Sequence, residues 1–345
     1  MKHLFVSLSL LFVLPVFSQE IVFTSAQTFS KEDMNSFYSS VAINADLVLF
    51  NANDFKLYAY RKDGTLAWET SINRKSNIPP FFVDNSIWVN GNENRNTYIR
   101  VLSRSDGTLK KTTSFEMWTT PMIRNGVLYS TGISKGGCVF AYDLRADSLI
   151  WERFIAHGIS QKPYYQSGKI IANAEGDNWL ELDYEGRLID PQCEDSTVSF
   201  PSELKCVKTF DLLTHDGIPV SGKKAERLMA NDAITRNSTS HTFFLQNDKL
   251  IILGNKLREK ASIRLDAWFK DKEFDEYAIK SIIETNDEKI WLLLNNHVIS
   301  YNHKAKKLET QLDLSNWEPH QVVIDEDRIW FISKKDGLLY AVRRG

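Results

Sequence analysis

A pattern of short strand-like segments that repeats about every 40 residues constrains this chain more than any other feature. The first copy is Leu57-Tyr-Ala-Tyr60, a polar turn, then Thr65-Leu-Ala-Trp-Glu69. The second is Ile99-Arg-Val-Leu102, a turn with Asp106-Gly107, then Thr108-Leu109. The third is Val139-Phe-Ala-Tyr-Asp143 followed by Ser148-Leu-Ile-Trp-Glu152. A weaker fourth is Trp179-Leu-Glu-Leu-Asp183, Glu185-Gly186 and Arg187-Leu188. Leu66, Leu109, Leu149 and Leu188 are equivalent, at steps of 43, 40 and 39 residues, and Leu308 lies 120 residues further on. Apolar and polar residues alternate over 4 to 8 positions between Asn, Asp and Gly turns, with no convincing helix. A repeat of this length built only of strands predicts an all-β fold, a β-propeller of four-stranded antiparallel blades.

The units parse individually. Blade one is expected at 41–44, 47–50, 56–60 and 65–72, and later blades start near Pro80, Pro121 and Pro163. Residues 191–238 break the rhythm. Seven blades result if this segment is an insertion, and eight if it hides a degenerate blade; seven is the preferred count. Strands resume with Thr242–Leu245 as the next unit, and the last unit ends at Leu338–Val342 without a fourth strand. The apolar stretch Glu20-Ile-Val-Phe-Thr24 has no local partner, so it is expected to supply that strand and close the ring. Trp68 and Trp151 share one blade position and are expected to pack between blades.

The Tyr-Ala-Tyr, turn, Leu-x-Trp-Glu units resemble the repeats of the PQQ-like, or quinoprotein-type, propeller family. The resemblance covers about residues 40–345 and is clearest over 41–155. It implies a propeller domain. Quinone-dependent dehydrogenases of that family bind their cofactor with calcium in the central channel, and many carry adjacent cysteines over it. No Cys-Cys pair occurs here. The chain is therefore expected to be a degenerate, non-quinone-binding member with no cofactor.

The first residues read as an export signal. Lys2 is followed by an apolar run over 4–17, and Val16 and Ser18 suit the −3 and −1 sites of a signal peptidase. The expectation is cleavage after Ser18, a single propeller domain over 19–345, and a soluble periplasmic or secreted monomer without a membrane span. In an oxidising compartment Cys193 and Cys206, 13 residues apart, are expected to form a disulfide, with Cys138 a small core residue.

Composition removes several classes of function. Lys+Arg 42 against Asp+Glu 44 gives a formal charge of −2, which offers no electrostatic case for nucleic acid. The seven His are scattered without a zinc spacing, so no metal site is expected. Gly132-Ile-Ser-Lys-Gly136 matches the nucleophile elbow G-x-S-x-G, but it falls between two antiparallel strands rather than at a strand-to-helix turn. In a four-stranded meander, the second-to-third loops and the blade-to-blade crossovers share one end of the ring. Those segments (72–79, 91–98, 115–121, 155–163, 254–260 and 314–320) are longer than the turns at the other end. They carry Arg74, Lys75, Arg95, Trp118, His157, Lys162, Trp317 and His320, the candidate binding residues. The expected function is a non-catalytic scaffold for a protein, peptide or glycan of the cell envelope or exterior. The alternative is an enzyme with its site at the channel mouth, carbohydrate-active or quinone-dependent.

Overall fold

The computed structural model describes residues 19–28, 41–52, 54–74, 76, 78–93, 96–113, 115–133, 137–156, 163–166, 168–173, 178–189, 208–209, 223, 234–237, 241–246, 249–254, 258–265, 279–284, 289–302, 305–325 and 327–344. Its strands form seven four-stranded antiparallel sheets, a closed β-propeller. Blade one is Val41–Ile43, Leu47–Asn51, Lys56–Arg61 and Leu66–Ser71. Blade two is Phe81–Val83, Ser86–Glu93, Asn96–Ser103 and Leu109–Thr112. Blade three is Met122–Arg124, Val127–Ile133, Gly137–Asp143 and Ser148–Ala156. Blade four is Tyr164–Gln166, Lys169–Asn173, Asn178–Leu182 and Lys208–Thr209. Blade five is Ile234–Asn237, Thr242–Gln246, Lys249–Gly254 and Arg258–Arg264. Blade six is Ile279–Glu284, Lys289–Leu294, His297–Asn302 and Lys307–Asp313. Blade seven is Val322–Ile324, Arg328–Ile332, Leu338–Arg343 and, from the other end of the chain, Ile21–Thr28.

Burial follows the radius of the ring. First strands of neighbouring blades touch, as Val41–Ile43 does Val322–Ile324. Second strands such as Leu47–Asn51 are buried throughout, whereas the outer strand Lys307–Asp313 alternates between exposed and half-buried. Six apolar clusters among the described residues each join two adjacent blades: Leu49, Leu57 and Trp68 of blade one, for example, meet Ile87, Val89 and Leu102 of blade two. The seventh and first blades meet in the same way, through Trp330, Leu339 and Ala341 against Val48, Phe50 and Tyr58.

The repeated Ala and Trp are explained at these junctions. Ala59 lies opposite Trp68, and Ala141 opposite Trp151, so the small side chain leaves room for the indole. Each indole then covers a glycine in the turn before the next blade's outer strand. A Cβ on Gly186 would come within 2.6 Å of the Trp151 ring, and one on Gly107 would collide with Trp68. The indole nitrogens donate to carbonyls of those turns, Trp68 to Arg104 and Trp151 to Tyr184, both at 3.0 Å.

The N-terminal strand closes the ring by the same device. Phe23 pairs with Ala341, and a Cβ on Gly64 of blade one would lie 2.7 Å from its ring. The phenyl ring has no N–H, and Arg328 donates to the Lys62 carbonyl of that turn instead. Between blades two and three the lock is polar: Lys111 stands in the Trp position opposite Val101, pairs with Asp147, and lies over the rings of Trp88 and Tyr142.

Two sequence expectations are corrected, while the preferred count of seven blades holds: the described strands form no eighth blade. Leu182 pairs with Leu188, yet Trp179 pairs with Lys208, so the chain leaves the outer edge of blade four after Ile189 and rejoins the same edge. Blade five begins at Ile234, so Thr242–Gln246 is its second strand rather than its first. The turn from Gly254 to Arg258 therefore joins third and fourth strands and belongs to the short-turn end of the ring. Finally, the expected disulfide is not found: among the described residues the structure has none, and the thiol of Cys138 is buried and donates to the Gly132 carbonyl at 3.3 Å. Cys193 and Cys206 lie outside the described residues. Their spacing sets only a loop entropy, not the Cα approach of about 4.4–6.8 Å that a bridge requires. Residues 1–18 likewise lie outside the described residues, among which no helix is long and apolar enough to cross a membrane.

Two measurements check the junctions. Gly107 and Gly126 both have positive φ, at 72° and 78°, but only Gly107 has a ring over it. Gly126→Ala should cost about 1 kcal/mol of unfolding free energy for the left-handed backbone, and Gly107→Ala about 1–3 kcal/mol more for the collision with Trp68. Equal losses would remove the lock. For closure, Phe23→Ala should cost about 3 kcal/mol, whereas breaking the exposed Glu20–Arg343 pair (2.8 Å) by Glu20→Ala should cost less than about 1 kcal/mol.

Candidate functional site

The crossovers at the long-loop end are held by polar side chains at the ends of second strands. Asn51 accepts from the Ser76 amide at 2.8 Å and donates to the Lys56 carbonyl at 2.9 Å. Asn90, fully buried, donates to the Met117 carbonyl at 2.6 Å and accepts from the Met117 amide at 3.2 Å. Blade three grips the same crossover from its far side. Ser130 donates to the Thr119 carbonyl at 2.8 Å, and the Trp118 amide to the Thr131 carbonyl at 2.8 Å. These bonds satisfy loop backbone that a buried crossover would otherwise leave unpaired.

On this frame the structure brings together two of the residues singled out from sequence. Arg74, on the crossover from blade one to two, pairs with Glu116 at 3.2 Å. The other oxygen of Glu116 accepts from the Trp118 indole nitrogen at 2.6 Å. Arg74, Glu116 and Trp118 are all half-buried. The result is a cation, a carboxylate and a flat indole displayed side by side on two neighbouring crossovers. Sequence reasoning passed over Glu116; its signal was the i, i+2 spacing to Trp118, which puts both side chains on one side of an extended segment.

Trp317 and His320 form a second patch, on the crossover from blade six to seven. Trp317 is half-buried and packs on Phe331 (5.6 Å between centroids) and Tyr340 (5.7 Å), so it closes a blade junction as well as facing the rim. His320 is exposed. Partial desolvation, then the charges of Lys334 and Lys280, push its pKa below the ordinary histidine value. The Lys280 ammonium is fixed by Asn296 at 2.8 Å and the Pro319 carbonyl at 3.3 Å. Lys75, Arg95, His157 and Lys162 lie outside the described residues.

The elbow-like glycine has a packing role. Gly132 lies inside Val127–Ile133, paired with Cys138, where a side chain would strike the Glu116 carbonyl. Among the described residues no group of three or more His, Cys, Asp or Glu is placed to hold a metal ion.

No protein-family model and no curated protein matches the sequence. Solved structures do match. The crystal structure of BamB from Moraxella catarrhalis is 12 % identical, covers 89 % of this chain and 85 % of that chain, and has a TM-score of 0.47. The crystal structure of the computationally designed Ika8 protein is 11 % identical, covers 94 % of this chain and 100 % of that chain, and has a TM-score of 0.58. The likeness is one of fold alone.

The electrostatics of the second patch are open to NMR. The His320 ring should titrate below about 6.5, and Lys334→Gln or Lys280→Gln should each raise its midpoint by removing a nearby positive charge. A midpoint above the ordinary value, or one indifferent to both lysines, would contradict the assigned cause.

Proposed function

We propose that this protein is exported and acts by binding, with the long-loop end of the ring as its recognition surface for a protein, peptide or glycan of the envelope or exterior. The observation that carries the reading is the Arg74–Glu116–Trp118 group. Its indole offers a rigid apolar face at low entropic cost, and its ion pair offers donors and an acceptor whose positions are set before a partner arrives. The salt link engages the carboxylate with both neighbours, an arrangement suited to presenting a fixed surface rather than to moving a proton. Arg74 sits on a crossover pinned by Asn51, and Glu116 and Trp118 on one pinned by Asn90. Export rests on the basic start and apolar run over 2–17.

A photo-reactive residue placed at 118 should cross-link a partner in the native envelope or culture fluid, and one placed at Asn125, on a short turn, should not. Arg74→Ala with Trp118→Ala should weaken binding of the partner so identified at least tenfold, about 1.4 kcal/mol, with little change in melting temperature. The reverse ranking of cross-linking sites would move recognition to the other end. Amino-terminal sequencing of the exported protein should begin at Gln19, and recovery of an intact Met1 would count against export by this route.

A further inference from the structure

A cleft of about 600 Å³ opens at the short-turn end, between blades one and two, on the face opposite the recognition surface proposed above. Arg61, Arg104 and Lys110 line it, against the single carboxylate of Asp46, and Ser103 and Ser105 add hydroxyls. The chain as a whole carries a formal charge of −2, so this concentration of positive charge runs against the sign of the molecule.

The cations are held in place by groups of both blades. The Arg104 amide donates to the Asn85 carbonyl at 3.2 Å, and its own carbonyl accepts from Trp68 at 3.0 Å, so its turn is fixed to both blades. Its guanidinium lies 6.0 Å from the Phe82 ring centroid and pairs with Asp46. Lys110 is positioned by neutral acceptors, the Asn85 carbonyl at 2.9 Å and the Ser86 hydroxyl at 3.1 Å. Arg61 donates to the Thr65 hydroxyl at 3.4 Å, and its charge also lowers the pKa of the neighbouring Asp63, whose main partner is Thr65.

The equivalent place at two other junctions is filled. Between blades seven and one, Lys62 occupies the position of Arg104 and bonds at 2.6 Å to Asp325, which stands in the place of Asn44 with its side chain only 11 % exposed. Arg328 fills the space beside them. Between blades three and four, Arg124 stacks on Tyr184 at 4.5 Å. Between blades one and two, Leu47 stands on the second strand in the place of Arg328, and the Asp46 side chain is 65 % exposed.

We infer that this cleft is a binding site for a small molecule bearing a phosphate, sulfate or carboxylate group, of about the size of a sugar phosphate or a uronic acid disaccharide. The guanidinium of Arg104 and the ammonium of Lys110 receive the oxyanion, charge-assisted hydrogen bonds being the strong ones. The serine hydroxyls orient the rest of the ligand. Asp46 is the internal competitor for Arg104, and the ligand displaces it.

This competition gives the test its sign. Inorganic phosphate, glucose 6-phosphate and a galacturonate disaccharide are titrated separately into the full chain, followed by NMR shifts of the Ser103–Ser105 amides and by calorimetry. At least one probe should bind saturably, more weakly at high salt. The probe that binds tells a phosphate source from a carboxylate one. Arg104→Ala and Lys110→Gln should each lower its affinity at least tenfold, and Asp46→Asn should raise it several-fold, with thermal melts confirming that each variant is folded. Should Arg104→Ala prove unfolded, the exposed-strand substitution Lys110→Gln decides alone with Asp46→Asn. Absence of saturable binding by all three probes, or binding indifferent to Lys110 and Asp46, would overturn the assignment. The Arg74–Trp118 double variant should bind the probe like the unaltered chain, so failure here and failure of the long-loop reading are separate results.

Discussion

An aromatic ring laid over a glycine in the next blade is the contact on which this ring of sheets depends. A propeller has no common core: each blade buries one face against the blade before and one against the blade after, so junction quality sets the stability of the whole. Trp68 on Gly107, Trp151 on Gly186 and Phe23 on Gly64 repeat one solution. The glycine serves twice, allowing the positive φ of the turn and admitting the ring where any side chain would collide. The indole N–H adds a bond to the turn's carbonyl, so the ring fixes orientation as well as separation.

Closure by the first strand follows from the same contact. Without Ile21–Thr28, the third strand of blade seven would present an open edge, and Gly64 would face solvent instead of Phe23. The opposite registers of Phe23 on Ala341, Trp68 on Ala59 and Trp151 on Ala141 show that the chain's two ends recreate the geometry a continuous blade has by connectivity. The meander of each blade places the crossovers at one end of the ring, which is why Arg74 and Trp118, 44 positions apart in sequence, can share Glu116.

How much of this could be read in advance differs by region, for physical reasons. Blades one and three were legible because Ala and Trp recur with the lock, and blades two and four because the turns Asp106-Gly107 and Glu185-Gly186 recur after their third strands. The N-terminal strand was legible because Ile21, Val22 and Phe23 are apolar with nothing local to cover them. Blade five was read one strand out of phase because Ile234-Thr-Arg-Asn237 has no apolar alternation, its inner position being set by Thr242–Gln246 beside it. The interrupted edge of blade four left an insertion or a degenerate blade open, since two residues, Lys208 and Thr209, complete the strand and carry no pattern. At the site, Arg74 and Trp118 stood out by residue type and Glu116 did not, because a lone loop carboxylate acquires meaning only from its neighbours in space. Trp317 was legible as a loop aromatic, but its contact with Phe331 and Tyr340 was not.

The polar junction described above bears on the recognition surface. Between blades two and three Lys111 and Asp147 replace the indole and glycine, and their side chains are 32 % and 50 % exposed. An ion pair that open is worth about 0–1 kcal/mol, less than a buried indole. Yet this is the junction over which Glu116 and Trp118 sit. The deficit is offset from the long-loop end, where Asn90, Ser130, Thr119 and Thr131 tie the crossover to both blades with buried hydrogen bonds. Any of these bonds, once broken, strands a buried polar group, which costs more than forming it gains. The crossover that carries Trp118 is therefore held by bonds that are costly to break singly, so a rigid display surface and a sound blade junction are produced by the same side chains.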